Sequence, residues 1–239
     1  MKEGKLILVR HGYDDHSYID GKNDTNLTQD GIKMVQDEAE KLLYKVNSDK
    51  VIVRHSVKIR AQETAEIICE KFLKNGIECE CIKENGLTEL FQGQFNFDGL
   101  THTERVDFLQ SCWDDFEECR KKGDLSHHFG QNKDRNIVLV SGENHYEWST
   151  RIASGVLNII SDLEQSFQSI NISHRGAILE IQKIVEMVNG KIQPNEVEQY
   201  VTIWMSYCQD YLLHINDLTT AKVLTKKYIK QRSKNENNN

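Results

Sequence analysis

Two places in this chain repeat one pattern, an apolar run that stops at a histidine, a cation and a glycine. Leu6-Ile7-Leu8-Val9 leads into Arg10-His11-Gly12, and Ile170-Asn171-Ile172-Ser173 leads into His174-Arg175-Gly176. Short apolar runs closed by a turn residue predict buried strands. Val51-Ile52-Val53, ending at His55-Ser56, reads as a third, and Ile77 to Cys81 alternates apolar and acidic residues as a half-exposed strand does.

Helical periodicity fills the intervals. Thr28 sits where an N-cap belongs, ahead of Ile32, Val35, Ala39 and Leu42 on one face. Ala61, Ala65, Ile68 and Phe72 form a second stripe, stopped at Gly76. Trp148, Ile152, Val156, Ile159 and Leu163 form a third; Ile178, Ile181, Val185 and Val188 form a fourth, stopped by Asn189-Gly190. Residues 13–26 are polar and read as a loop. Tyr211 to Ile215 and Ala221 to Leu224 read as a late hairpin around Asn216-Asp217. Strands alternating with helices predict an α/β fold, a three-layer α/β/α sandwich with a mostly parallel central sheet. Its domain covers 1–232, and 233–239 is a polar, disordered tail. The basic end (Lys226, Lys227, Lys230, Arg232, Lys234) is expected to fray with it.

Composition narrows the function classes. With 239 residues, 38% of them hydrophobic and 28% charged, the chain can build a core. The formal net charge of -7 argues against a general nucleic-acid binder, although local arginines still suit a small anion. No run is long enough to span a bilayer, so no membrane partner is expected. A strand pattern starting at Leu6 leaves no room for a signal peptide, which makes the cytoplasm the expected location. The six cysteines (69, 79, 81, 112, 119 and 208) lack C-x-x-C spacing and read as free thiols.

In open α/β sheets, sites form beyond the carboxyl ends of strands. Arg10, His11 and His174 all occupy such ends. A phosphoryl group needs cations on its equatorial oxygens, a nucleophile in line and an acid for the leaving oxygen. Arginine's planar fork suits the first role, and a neutral imidazole suits the second.

At these residues the sequence resembles the histidine phosphatase superfamily, the phosphoglycerate-mutase-like enzymes of the first branch. Leu8-Val9-Arg10-His11-Gly12 resembles its signature. Asn26-Leu27-Thr28-Gln29-Asp30-Gly31 resembles an LTxxG element, Ser56 to Ala65 an SxxxRAxxTA element, Leu87-Thr88-Glu89 with Gly93 and Asp98-Gly99 the acid-bearing segment, and Gly142-Glu143 with Arg151 a GE…R helix start. The resemblance runs in order over roughly residues 5–216. It implies His11 as nucleophile through a phosphohistidine, with Arg10, Arg60 and His174 holding phosphoryl oxygens and Glu89 as general acid and base. Backbone at Gly12 and after His174 lies against the phosphate. Glu143 is the second-choice acid. Val57 stands where the family has proline, and Arg175 where it has a small residue, which either adds a cation to the pocket or points to solvent. The mutases' Trp-Asn pair and longer insertion are missing, which favours hydrolysis. One phosphate contact is left for Ser17 or Asn23.

The segment of about 100–141, where Val106, Leu109, Trp113 and Phe116 could share a helical face, is expected to be a helical insertion over the active site. Its acidic pairs, Asp114-Asp115 and Glu117-Glu118, read as a solvated face. His127-His128 near Cys119 raises a metal site, but with no second cluster at ligand spacing none is expected. The reading is therefore a metal- and cofactor-independent phosphomonoesterase acting on a small phosphorylated substrate. A phosphoglycerate-type mutase and a non-catalytic phospho-ligand binding module are the alternatives, and the oligomeric state is open.

Overall fold

The structure, a computed structural model, describes residues 2–15, 24–165, 168–193 and 206–236. In chain order it contains β1 (Gly4–Arg10), α1 (Gln29–Lys45), β2 (Lys50–His55), α2 (Ile59–Lys74), β3 (Glu78–Lys83), a 3-10 turn (Asn85–Leu87) and β4 (Gly93–Phe95). Then follow α3 (His102–Lys121), β5 (Val138–Ser141), α4 (His145–Glu164), β6 (Gln168–Ser173), α5 (Arg175–Val188), β7 (Asp210–Ile215) and α6 (Leu218–Glu236).

The central sheet has the order β3-β2-β6-β1-β7, parallel except for β7, which pairs antiparallel with β1. The central strands β1, β2 and β6 are largely buried because both faces are covered, whereas edge strand β3 keeps its alternating acidic residues exposed. Along β1 the side chains alternate between two cores: Leu6 and Leu8 pack with α4, α5 and α6, while Ile7 and Val9 pack with α1 and α2. Full burial of each such side chain is worth roughly 1.5–3 kcal/mol. The expected α/β/α layering is thus present.

This topology makes the site. β1 leads to α1 on one face and β6 leads to α5 on the other, so the two connections part at neighbouring strands, the switch point where open sheets bind ligands. Arg10 is in register with Ser173, which sets the following residues, His11 and His174, side by side. Thr28 caps α1 as expected, accepting from the Gly31 N–H. Gly31 is required there, because a Cβ would lie 2.1 Å from the Tyr13 carbonyl oxygen.

Three expectations need correction. The second half of the proposed late hairpin is helix α6. Its buried residues Leu218, Ala221, Thr225, Tyr228 and Arg232 alternate three and four apart, a helical stripe disguised by two polar members. Helix α6 extends past the expected boundary at Ser233 to Glu236, and Arg232 is buried over the rings of Tyr146 and Tyr228. Within 100–141, α3 is the expected helix, and Phe116 and Trp113 pack on a separate small core with Leu90, Cys112 and Phe129, but Val106 is exposed. The sequence gives no sign that β5 pairs with β4 in a second, two-stranded sheet under this cap.

Candidate active site

His11 and His174 face each other with ring centroids 4.9 Å apart. The His11 backbone N–H donates to the Ser173 carbonyl (3.0 Å), which ties the end of β1 to the end of β6. Its Nδ1 lies 2.8 Å from the Gly12 carbonyl oxygen. Only a protonated nitrogen makes that bond, so the lone pair resides on Nε2. Arg60 Nε donates to that Nε2 at 3.2 Å. A second Arg60 nitrogen, Nη2, lies 3.3 Å from His174 Nδ1, and guanidinium only donates, so His174 carries its proton on Nε2 and gives it to Ser56 Oγ at 2.7 Å.

Arg60 sits at the start of α2, where the chain fixes it from several sides. Thr64 Oγ1 donates to the Arg60 carbonyl (2.7 Å) and accepts from the Gly12 N–H (3.1 Å). The Asp24 carboxylate accepts from the Ile59 N–H (2.8 Å) and lies 3.5 Å from Arg60 Nη1. Asp14, fully buried, is 3.7 Å from Arg60 Nε and accepts from the Thr25 hydroxyl at 2.6 Å. Glu89 Oε2 is 3.7 Å from Arg60 Nη2 and 3.8 Å from His174 Nδ1, so one carboxyl stands over both groups.

Electrostatics follow from burial. The His11 imidazole is pushed down to about 3, mainly by desolvation and then by the Arg60 charge, so it is neutral in ordinary conditions. His174 is held well below the usual histidine range by burial, then by its contact with His11 and by Arg60. The pocket raises the Glu89 carboxyl, burial outweighing the pull of Arg60 and Arg10, although its side chain keeps an opening of 35% to solvent. Arg175, which follows His174 and is half-buried, has a lowered pKa through burial and then the charge of Arg10, with Glu89 opposing.

Arg10 lies over the Tyr207 ring, 3.8 Å from its centroid, and Tyr207 also meets the edges of His11 and Tyr13. His174 is the N-cap of α5 and makes no side-chain cap bond, so the amide-rich start of that helix opens beside the two imidazoles. Among the sequence-predicted residues, Arg10, His11, Gly12, Arg60, Glu89 and His174 therefore converge, with Arg175 next to His174 at the start of α5. Ser17 and Asn23 lie outside the described residues. Glu143 is engaged elsewhere: its carboxylate forms a two-point pair with Arg151 (2.8 and 2.7 Å) and accepts from the Phe91 N–H. It precedes α4, whose cap is Asn144 and whose first-turn acid is Glu147.

Four neighbours of the site carry weak signals in the sequence or none. Ser56 and Thr64 were visible as fixed letters of the SxxxRAxxTA element, but their bonds to His174 and Gly12 span 118 and 52 residues and leave no local trace. Asp14 looked like one more polar loop residue. Tyr207 follows no periodic pattern and had no signal.

No helix among the described residues is long and apolar enough to cross a membrane. No curated protein matches this chain. Solved structures of the same fold include a mycobacterial glucosyl-3-phosphoglycerate phosphatase, 19% identical, with 89% of this chain and 91% of that one covered and a TM-score of 0.58. Another is an alpha-ribazole phosphatase from Shigella flexneri, 22% identical over 87% of this chain and 89% of that one, TM-score 0.53. At such identities the likeness is one of fold. The family model of the histidine phosphatase superfamily (branch 1) matches residues 6–192, most of the chain and all of the converging residues named above, and the chain belongs to that superfamily.

Proposed function

We propose that the protein hydrolyses a small-molecule phosphomonoester through a phosphohistidine on His11. The observation that carries this is the constellation itself: two neutral imidazoles 4.9 Å apart, bridged by one guanidinium, with a raised carboxyl over both. The phosphatase names of its structural relatives agree with it.

A phosphoryl group entering the cup takes Arg60's donors from the two imidazoles, and Arg10 and Arg175 add charge for its remaining oxygens. His11 Nε2 gives its lone pair to phosphorus as the P–O bond to the leaving group breaks. Protonated Glu89 passes its proton to that oxygen, and an alcohol leaves. Glu89, now a carboxylate, takes a proton from water as the water oxygen attacks phosphorus. The P–N bond breaks and inorganic phosphate departs, restoring His11 and the acid form of Glu89. His174, held by Ser56, accompanies the equatorial oxygens throughout. These steps run on side chains alone, in the cytoplasm as the expected setting.

The test is phosphate release from a panel of phosphorylated metabolites and an aryl phosphate. His11→Ala should reduce turnover at least about 10³-fold while circular dichroism stays unchanged. Undiminished turnover by that variant contradicts the proposal. Tight phosphate binding with no hydrolysis by the wild type would favour a binding module instead.

A further inference from the structure

A second chemical cluster lies in the cap, built from residues that take no part in the cup. Asp115 and Cys119 are four residues apart on α3 and therefore share one face of it. After α3 the chain turns at Gly123 (φ +85°), the Asp124 N–H donates back to the Cys119 carbonyl at 2.9 Å, and His127 is returned onto the same face, only 6% exposed. One donor atom from each of Asp115, Cys119 and His127 lies within 4.8 Å of the other two. His127 Nε2 is 3.2 Å from Asp115 Oδ2.

We propose that Asp115, Cys119 and His127 form a zinc site that fastens the loop after α3 to the helix. Nitrogen, thiolate and carboxylate donors at this mutual spacing fill three corners of a tetrahedron and leave the fourth to water. Sulfur with imidazole selects a borderline-soft ion such as Zn²⁺ over Mg²⁺ or Ca²⁺. The surroundings favour a cation. The Asp115 carboxylate stands among the donors, the Asp124 backbone is tied to Cys119, and Lys122, the nearby cation, is paired with Glu118. In the metal-free form a ring proton holds the ion's place between Nε2 and Asp115. On binding, that proton moves to Nδ1, the Cys119 S–H bond breaks, and one proton is released for each Zn²⁺ bound. The bound ion joins the last turn of α3 to a loop that also inserts Phe129 into the cap core, so it would rigidify the cap without touching the phosphate cup. This inference is independent of the proposed reaction.

The experiment uses the reduced, chelator-treated full chain. Co²⁺ is titrated in while thiolate-to-cobalt charge-transfer absorption is followed, and Zn²⁺ affinity is measured by competition with a chromophoric chelator at neutral pH. One equivalent of Zn²⁺ should bind tighter than about 1 µM, displacing Co²⁺. Cys119→Ser and His127→Ala, each checked for folding by circular dichroism, should weaken Zn²⁺ binding at least about 100-fold, more than the loss of an outer-shell partner does. Cys119→Ser should also abolish the charge-transfer band. The control is Cys79→Ser with Cys81→Ser, which removes the two thiols of β3 and should change nothing. The proposal is overturned by absence of the band in the wild type, by undiminished binding in the Cys119 and His127 variants, or by loss of binding in the control.

Discussion

A histidine attacks phosphorus only through an unprotonated nitrogen, and at the residue scale the site secures this twice for His11. The Gly12 carbonyl fixes the proton on Nδ1, and burial beside Arg60 lowers the pKa to about 3. Loss of the His11 lone pair therefore does not limit the reaction near neutrality. In the proposed mechanism Glu89 does, because its acid form must donate. Its pKa is raised, so that form persists to higher pH than in an ordinary glutamate, and kcat/KM should fall about tenfold per pH unit once pH passes that value. Glu89→Gln should remove this alkaline limb and lower turnover of alkyl phosphates by about 10²–10⁴-fold, with far less loss for an aryl phosphate whose leaving group needs no proton. A pH–rate profile on both substrate types checks it; equal losses on the two would contradict the acid role.

At the scale of elements, the position of Glu89 depends on α4, a helix that contributes nothing to the chemistry. Arg151 donates to the carbonyls of Asn85, Thr88 and Glu89 at 2.8 to 3.0 Å, and its pair with Glu143 holds the guanidinium in place. Beneath it, the 3-10 turn meets α4 so closely that a Cβ at Gly86 would lie 2.5 Å from Gly155 Cα. Arg151→Met removes this donor from the Thr88 and Glu89 carbonyls, while the Asn85 carbonyl still accepts from the Thr88 N–H. Kcat should fall by up to about 10²-fold, the usual cost of a displacement near 1 Å, while KM changes little because the phosphate-holding arginines stay put. Steady-state kinetics separates that from an unchanged kcat, which would show that Glu89 needs no such support. The acidic face of α3 also finds partners: Glu117 pairs with Arg120, Glu118 with Lys122, and Asp115 with His127.

For the whole molecule, placing three histidines neutral in the interior carries a pH cost. His11 and His145 titrate at about 3 when folded and His174 is also strongly lowered, against an ordinary value of 6.5. Between pH 6.5 and about 3 the unfolded chain takes up protons that the folded chain refuses, so their contribution is complete above 6.5 and is lost as pH falls. Calorimetry should show Tm decreasing from neutrality to about pH 4.5, the three lowered histidines outweighing the raised His55, Glu38 and Glu89, which act in the opposite sense; a flat Tm would contradict that balance. Much of this molecule was legible in its sequence, because strand ends, helix stripes and glycine stops are local patterns. Leu6 to Gly12 and Ile170 to Gly176 announced both strand and site. What escaped was long-range or masked: the Ser56–His174 and Arg151–Glu89 bonds join distant segments, β4 and β5 are too short to show a period, and Thr225 and Arg232 hide the apolar stripe of α6.

The central claim is that His11 Nε2 is the atom that bonds to phosphorus. Stopping the enzyme during turnover of a phosphorylated substrate and mapping the modified peptide tests it most directly. The account predicts an acid-labile phosphate on His11 that vanishes when unlabelled substrate is chased through and never forms in His11→Ala. Phosphate recovered on another residue, or turnover by a protein whose His11 never becomes labelled, would contradict it.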